Sequence, residues 1–155
     1  MRNSFGAFIL SHGRPDRVLT YTTLRKRGYT GPIYIVCDDE DETIEEYRAR
    51  FENVLVFSKQ EIGHTVDTMD GSKERRGVTY ARNVCFDLAK QLGWDYFVEL
   101  DDDYNYFMYR LSFDNLSMRW DKQRDVRDMD TLFDSFIDFL ESSPRILSVA
   151  FGQGG

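Results

Sequence analysis

The chain of 155 residues holds only two cysteines and two histidines, so neither a disulfide-stapled scaffold nor a histidine-rich metal centre can account for it. Cys37 falls in an apolar, strand-like run and Cys85 on the apolar face of a predicted helix. Both read as reduced core thiols, because free cysteine is among the most buried residue types. Long hydrophobic runs are also missing. None approaches the roughly 18 residues needed to cross a bilayer. The N-terminus has no apolar stretch followed by a small-residue cleavage site, so the expectation is a cytoplasmic location with no membrane partner. An excess of positive charge is missing too, with 20 Lys and Arg against 27 Asp and Glu. A net charge of −7 argues against nonspecific duplex binding, which draws on clustered Lys and Arg. A phosphate-bearing ligand would therefore need a cation to help hold it, which points towards carboxylates as metal ligands.

What is present is the makings of one soluble domain, expected to span residues 1–155. Hydrophobic residues make up 41% and charged residues 30%, enough apolar surface to close a core. Four short apolar runs, Phe5 to Ser11, Ile33 to Cys37, Val54 to Phe57 and Tyr96 to Leu100, read as strands. Their near-continuous hydrophobicity suits a parallel sheet covered on both faces. Helices are expected between them. The first starts near Asp16 after Pro15 and stops at Gly28, and the second covers Glu42 to Phe51. The third, Val78 to Leu92, carries Ala81, Val84, Cys85, Leu88 and Leu92 as one stripe ahead of Gly93. A fourth runs over Met129 to Leu140, and Ile146 to Phe151 reads as a further strand. Lys59 to Gly77 shows no periodicity and is expected to be a long loop. Tyr104 to Trp120 interleaves aromatic and polar residues like an edge hairpin. The chain ends at Gly155 directly after a predicted strand, so a cut inside a larger domain is expected.

Chemistry in open parallel sheets collects beyond the carboxyl ends of the strands, and the chain places acids there twice. Asp101, Asp102 and Asp103 follow the fourth strand-like run. Three adjacent carboxylates repel one another unless a cation neutralises them, and Mg²⁺ or Mn²⁺ takes one or two carboxylates completed by phosphate and water. Alternation along an extended segment pairs Asp101 with Asp103 and turns Asp102 elsewhere. Asp103 is the expected direct ligand, Asp101 a metal or ribose contact, and Asp102 a weaker candidate for contact with the donor; a solvated acidic turn is the plain alternative. Asp38 and Asp39, in the run Cys37 to Asp41, could accept from a ribose hydroxyl or a base N–H, unless Asp41 merely caps the second helix. In the loop Ser11 to Asp16, Gly13 permits close backbone approach, and Ser11, His12 and Arg14 are candidates to frame a nucleotide. Arg82 and Asn83 depart from the apolar stripe of the third helix, with Arg75 and Arg76 just before it, and could meet a diphosphate. Arg82 could equally salt-bridge the acids. Tyr104, Tyr106, Phe107 and Tyr109 form either an acceptor platform or ordinary edge packing. His64 stands alone and is given no role.

The succession Gly77-Val-Thr-Tyr-Ala-Arg-Asn83, a helix, Gly93, an apolar strand and Asp101-Asp-Asp103 resembles the Gly…Ala-Arg-Asn…Asp-x-Asp order of GT-A glycosyltransferases. Within that group, Ser11-His-Gly-Arg-Pro-Asp16, the run Gly31 to Asp39 and Asp101-Asp-Asp-Tyr104 are similar to the TET-associated glycosyltransferases, over about Phe5 to Tyr109. The resemblance implies a GT-A-like, Rossmann-like α/β fold with a mostly parallel sheet. It also implies transfer of a sugar from a nucleotide-diphosphate donor, a UDP-sugar being favoured, with Mn²⁺ or Mg²⁺ as cofactor. The acceptor it suggests is a hydroxymethylpyrimidine in DNA, in a phage or bacterial setting. Two other classes fit the acids less well. A nucleotidyltransferase would want a loop richer in glycine and basic residues than Ser11 to Asp16. A phosphohydrolase would want supporting histidines. A noncatalytic nucleotide-sugar-binding module fits the abrupt C-terminus, and no residue stands out as base or nucleophile.

Overall fold

The computed structural model describes residues 4–63, 78–110 and 124–152. Four strands, β1 (Phe5–Leu10), β2 (Ile33–Asp38), β3 (Val54–Phe57) and β4 (Tyr96–Asp101), pair in parallel in the order β3-β2-β1-β4. The register runs Leu10 beside Val36 and Asp101, and Asp38 beside Phe57, so the carboxyl ends of all four strands finish at one rim.

Alternation along β1 explains the layers, since successive side chains of a strand leave opposite faces. Phe5, Ala7 and Ile9 enter one buried cluster with Leu24, Tyr47, Phe133 and Ile137. Those residues come from α1 (Leu19–Lys26), α2 (Ile44–Arg50) and α5 (Met129–Glu141). Phe8 and Leu10 enter a second cluster with Tyr80, Val84, Cys85, Leu88 and Ala89 of α4 (Val78–Gln91). Both cysteines are free and buried. Cys37, lodged in the strand layer near Asp41 and Asp38, has its thiol pushed up to about 12, chiefly by burial.

Three boundaries differ from the sequence expectation. α1 begins at Leu19 and not at Asp16, because the Arg17 N–H donates to the Arg14 carbonyl and closes a turn first. The first residues of the expected long loop form a short helix, α3 (Lys59–Ile62); residues 64–77, with His64, Arg75 and Arg76, lie outside the described residues. Residues 146–151 take no place in the sheet. They run irregularly past the outer edge of β4, and Phe151 is drawn instead onto Phe107, Phe133 and Phe136, at centroid distances of 5.5, 6.3 and 5.4 Å. A strand needs a ladder as well as apolar alternation, and here aromatic packing supplies the competing contacts. Within the expected edge hairpin, β5 (Met108–Tyr109) pairs antiparallel with β6 (Arg124–Asp125), a strand beyond the expected end at Trp120; residues 111–123 lie outside the described residues.

Candidate functional site

A cavity of about 620 Å³ opens at the rim where the strands end. Leu10, Val36 and Phe57 form its apolar floor, and Ser11, His12, Arg14, Asp38, Lys59 and Asp101 to Asp103 line it from above. Each strand thus delivers one part of the wall. A larger cleft of about 780 Å³ lies along the outer edge of β4, lined mainly by apolar groups such as Phe86, Phe97, Leu140 and Ile146. The smaller cavity is the better candidate, because polar groups converge on it over an apolar floor.

The three acids have three different environments. Asp102 is 1% exposed. Its Oδ2 accepts the Ser11 hydroxyl proton at 2.6 Å, its Oδ1 accepts Arg14 Nη2–H at 2.8 Å, and its backbone carbonyl accepts the Thr20 N–H. Asp101 faces the α4 side, where Arg82 Nη2 donates to Oδ1 at 2.7 Å. Asp103 is exposed on the turn. The turn itself is clamped by Thr20 of α1, whose hydroxyl donates to the Asp101 carbonyl at 2.6 Å and accepts the Tyr104 N–H at 2.9 Å.

Beneath the Ser11 loop, Tyr47 of α2 joins the same network: its hydroxyl lies 2.7 Å from Ser11 Oγ and accepts the Arg14 backbone N–H at 2.9 Å. Burial raises the Tyr47 pKa, so its hydroxyl keeps its proton. Across the cavity, Asp38 is buried and accepts from His12 Nδ1 at 2.8 Å and from Lys59 Nζ at 2.8 Å. Burial pulls the Lys59 ammonium down, but its hydrogen bonds and charge interactions with Asp38 and Glu40 outweigh this and raise the pKa. Asp41, also buried, ties the two loops together. It accepts the Gly13 N–H and both the N–H and hydroxyl of Thr43, and these bonds overcome burial and lower its pKa.

Other expected residues lie further out. Asp39 is exposed on the rim, where its carboxylate accepts the Lys59 N–H at 3.1 Å. Asn83 is exposed on α4 and donates back to the Thr79 carbonyl. Arg82 bridges Asp101 and Glu99 and lines the outer cleft. Among the described residues, Glu99 Oε1 is buried without a hydrogen-bond partner, and burial raises the Glu99 pKa despite Arg82. Lys59 was not singled out in the sequence. Its signal was its position just after β3, at the same carboxyl rim as the other candidates. On the far side of the acids, Asp101 and Asp103 also border a second cavity of about 460 Å³ with Tyr104, Tyr106, Phe107 and Arg110.

A parallel sheet with polar groups gathered at its carboxyl rim is the arrangement of a Rossmann-like glycosyltransferase fold. Residues 5–155 match the family model described as TET-Associated Glycosyltransferase, and the chain belongs to that family. Neither a curated protein nor a solved structure matches it. Among the described residues, no helix is long and apolar enough to cross a membrane.

Proposed function

We propose that the chain binds a nucleoside-diphosphate sugar, UDP-linked by preference, in the rim cavity and transfers its sugar across Asp101 and Asp103 to an acceptor in the neighbouring cavity. The observation that carries this reading is the convergence of Ser11, His12, Arg14, Asp38, Lys59 and the acids over one apolar floor. The floor suits a nucleobase, Asp38 can accept from a base N–H or a ribose hydroxyl, and Arg14 and Lys59 bring positive charge for a diphosphate.

The donor set fits Mn²⁺ or Mg²⁺. Among the described residues, no three His, Cys, Asp or Glu groups converge. Two hard carboxylates, the exposed Asp103 and the Arg82-paired Asp101, match a cation that takes the rest of its shell from phosphate and water. When bound, such a cation stabilises negative charge on the departing diphosphate. Arg82 keeps Asp101 oriented, and the clamp from Thr20 holds the turn that carries both acids. The second cavity, with Tyr106 and Arg110, suits a planar acceptor that can stack. With the family assignment, this supports a hydroxymethylated pyrimidine in DNA.

Calorimetric titration of UDP, GDP, CDP, ADP and dTDP with Mn²⁺, and with EDTA as control, tests the donor reading. Manganese-dependent binding of UDP is expected. Asp103→Ala should abolish that dependence while leaving the unfolding transition intact; metal-independent binding, or an unchanged Asp103→Ala variant, removes the role given to the acids.

A further inference from the structure

The middle acid of the triplet is arranged unlike its neighbours, and its hydrogen bonds have a direction. Ser11 has one hydroxyl proton, and it goes to Asp102 Oδ2. In the 2.7 Å contact between Tyr47 and Ser11, the tyrosine must then be the donor. Tyr47 in turn accepts the Arg14 backbone N–H. The chain therefore runs from the Arg14 N–H through the Tyr47 and Ser11 hydroxyls to Asp102 Oδ2. A second path runs directly from the Arg14 guanidinium to Asp102 Oδ1. Both ends of one arginine are held by one carboxylate that is 1% exposed, while the Arg14 side chain itself stays 53% exposed at the cavity.

We infer that Asp102 is a positioning residue, which fixes Arg14 over the rim cavity to grip the donor diphosphate and does not itself bind donor or metal. This rests on the donor reading above. The ring requires an acceptor at both oxygens. An asparagine there must present its NH₂ either to the Ser11 hydroxyl, which then has no acceptor for its proton in that direction, or to the guanidinium, where donor faces donor. Asp102→Asn is therefore not a conservative change. Arg14, freed from its support, would sample many rotamers and lose the pre-organisation that makes its contact effective.

The test is a double-variant cycle on the 155-residue chain, with Asp102→Asn, Arg14→Met and both together, and Asp103→Asn as comparator. Two quantities are titrated, Mn²⁺ alone and UDP at saturating Mn²⁺. Asp102→Asn is expected to weaken UDP about tenfold, or roughly 1.4 kcal/mol, and to leave Mn²⁺ affinity as in the wild type. Arg14→Met should match it, and the double variant should be no weaker than the worse single one. Losses that add, or an Asp102→Asn variant that loses Mn²⁺ as Asp103→Asn does, overturn the inference. If Asp102→Asn lacks a cooperative unfolding transition, Tyr47→Phe breaks the same ring one link earlier. It should weaken UDP several-fold in the wild-type background and not at all in Arg14→Met; an equal loss in both backgrounds overturns the inference. A wild-type chain that fails to bind UDP with Mn²⁺ sinks the donor reading itself, an outcome separate from additivity in a chain that binds.

Discussion

Gly6 offers the sharpest test of the packing that seats the site. It lies in β1, the strand paired on both sides, and faces the α4 layer. A methyl group added there would sit 2.1, 2.3 and 2.4 Å from Cη2, Cζ2 and Cζ3 of Trp94. Carbon atoms prefer roughly 3.5–4.0 Å, so the overlap exceeds ~1 Å at three atoms at once. Neither partner can yield easily. The indole is wedged against Phe8 at 5.0 Å and Tyr34 at 5.4 Å, and two parallel ladders fix the β1 backbone. Gly6→Ala should therefore reach the upper part of the usual overpacking cost of about 1–3 kcal/mol. At roughly 2–4 °C per kcal/mol for a chain of this size, a cost of about 2–3 kcal/mol should lower the melting temperature by about 4–12 °C. Circular dichroism in the far and near ultraviolet reads this directly. Combining Gly6→Ala with Trp94→Leu should recover at least ~1 kcal/mol of coupling, because the leucine vacates the space the methyl needs. A shift within about 1 °C, or strictly additive losses in the pair, would refute the packing argument.

Two further outcomes follow from the charges around the rim. Lys59→Met should weaken UDP binding with Mn²⁺ by roughly tenfold and lower unfolding stability by about 1–3 kcal/mol, because among the described residues it leaves the buried Asp38 with His12 as its remaining side-chain donor; calorimetry and denaturant titration check the two halves, and an unchanged variant rejects the role given to the lysine. Glu99 has a folded-state pKa above its ordinary 4.5, so the native chain holds that proton more tightly than the unfolded one and loses stability as pH rises from about 4.5 through the raised value. Glu99→Gln removes this loss, and the melting temperature of the variant relative to wild type should climb between pH 4 and pH 7; a flat difference contradicts the assignment.

The sheet could be read from the sequence because buried parallel strands leave unbroken apolar runs, and the four expected runs all became strands. α4 and α5 were legible from their stripes and from Gly93, which adopts a positive φ of 72° at the helix end. The failures have physical causes. Ile146 to Phe151 carries the composition of a strand, but Phe151 gains more from three aromatic rings than the segment gains from an isolated edge. Alternation along the strand set Asp102 apart from Asp101 and Asp103 in the sequence, but no local signal announced Ser11 and Arg14, about 90 residues away, whose approach makes it a buried strut between the half-buried Asp101 and the exposed Asp103. Lys59 was passed over for a related reason: its place just after β3 was legible, but a lone lysine gives no local hint that it will pair with Asp38.

The position of β4 beside β1 also bears on how the protein comes into being. β1 and β2 are close in sequence and can pair early, but the other edge of β1 must wait for Tyr96 to Asp101. At roughly 5–20 residues per second, a ribosome needs several seconds to supply the ~60 residues between the end of β2 and the start of β4. During that interval the apolar face and one open edge of β1 are exposed, a template for wrong pairing. The same late event brings Asp102 to Ser11 and Arg14, so the cavity is completed only at the final closure of the sheet. Nascent chains arrested before and after residue 101 has left the exit tunnel should differ in whether they bind nucleotide, as well as in how well they resist protease.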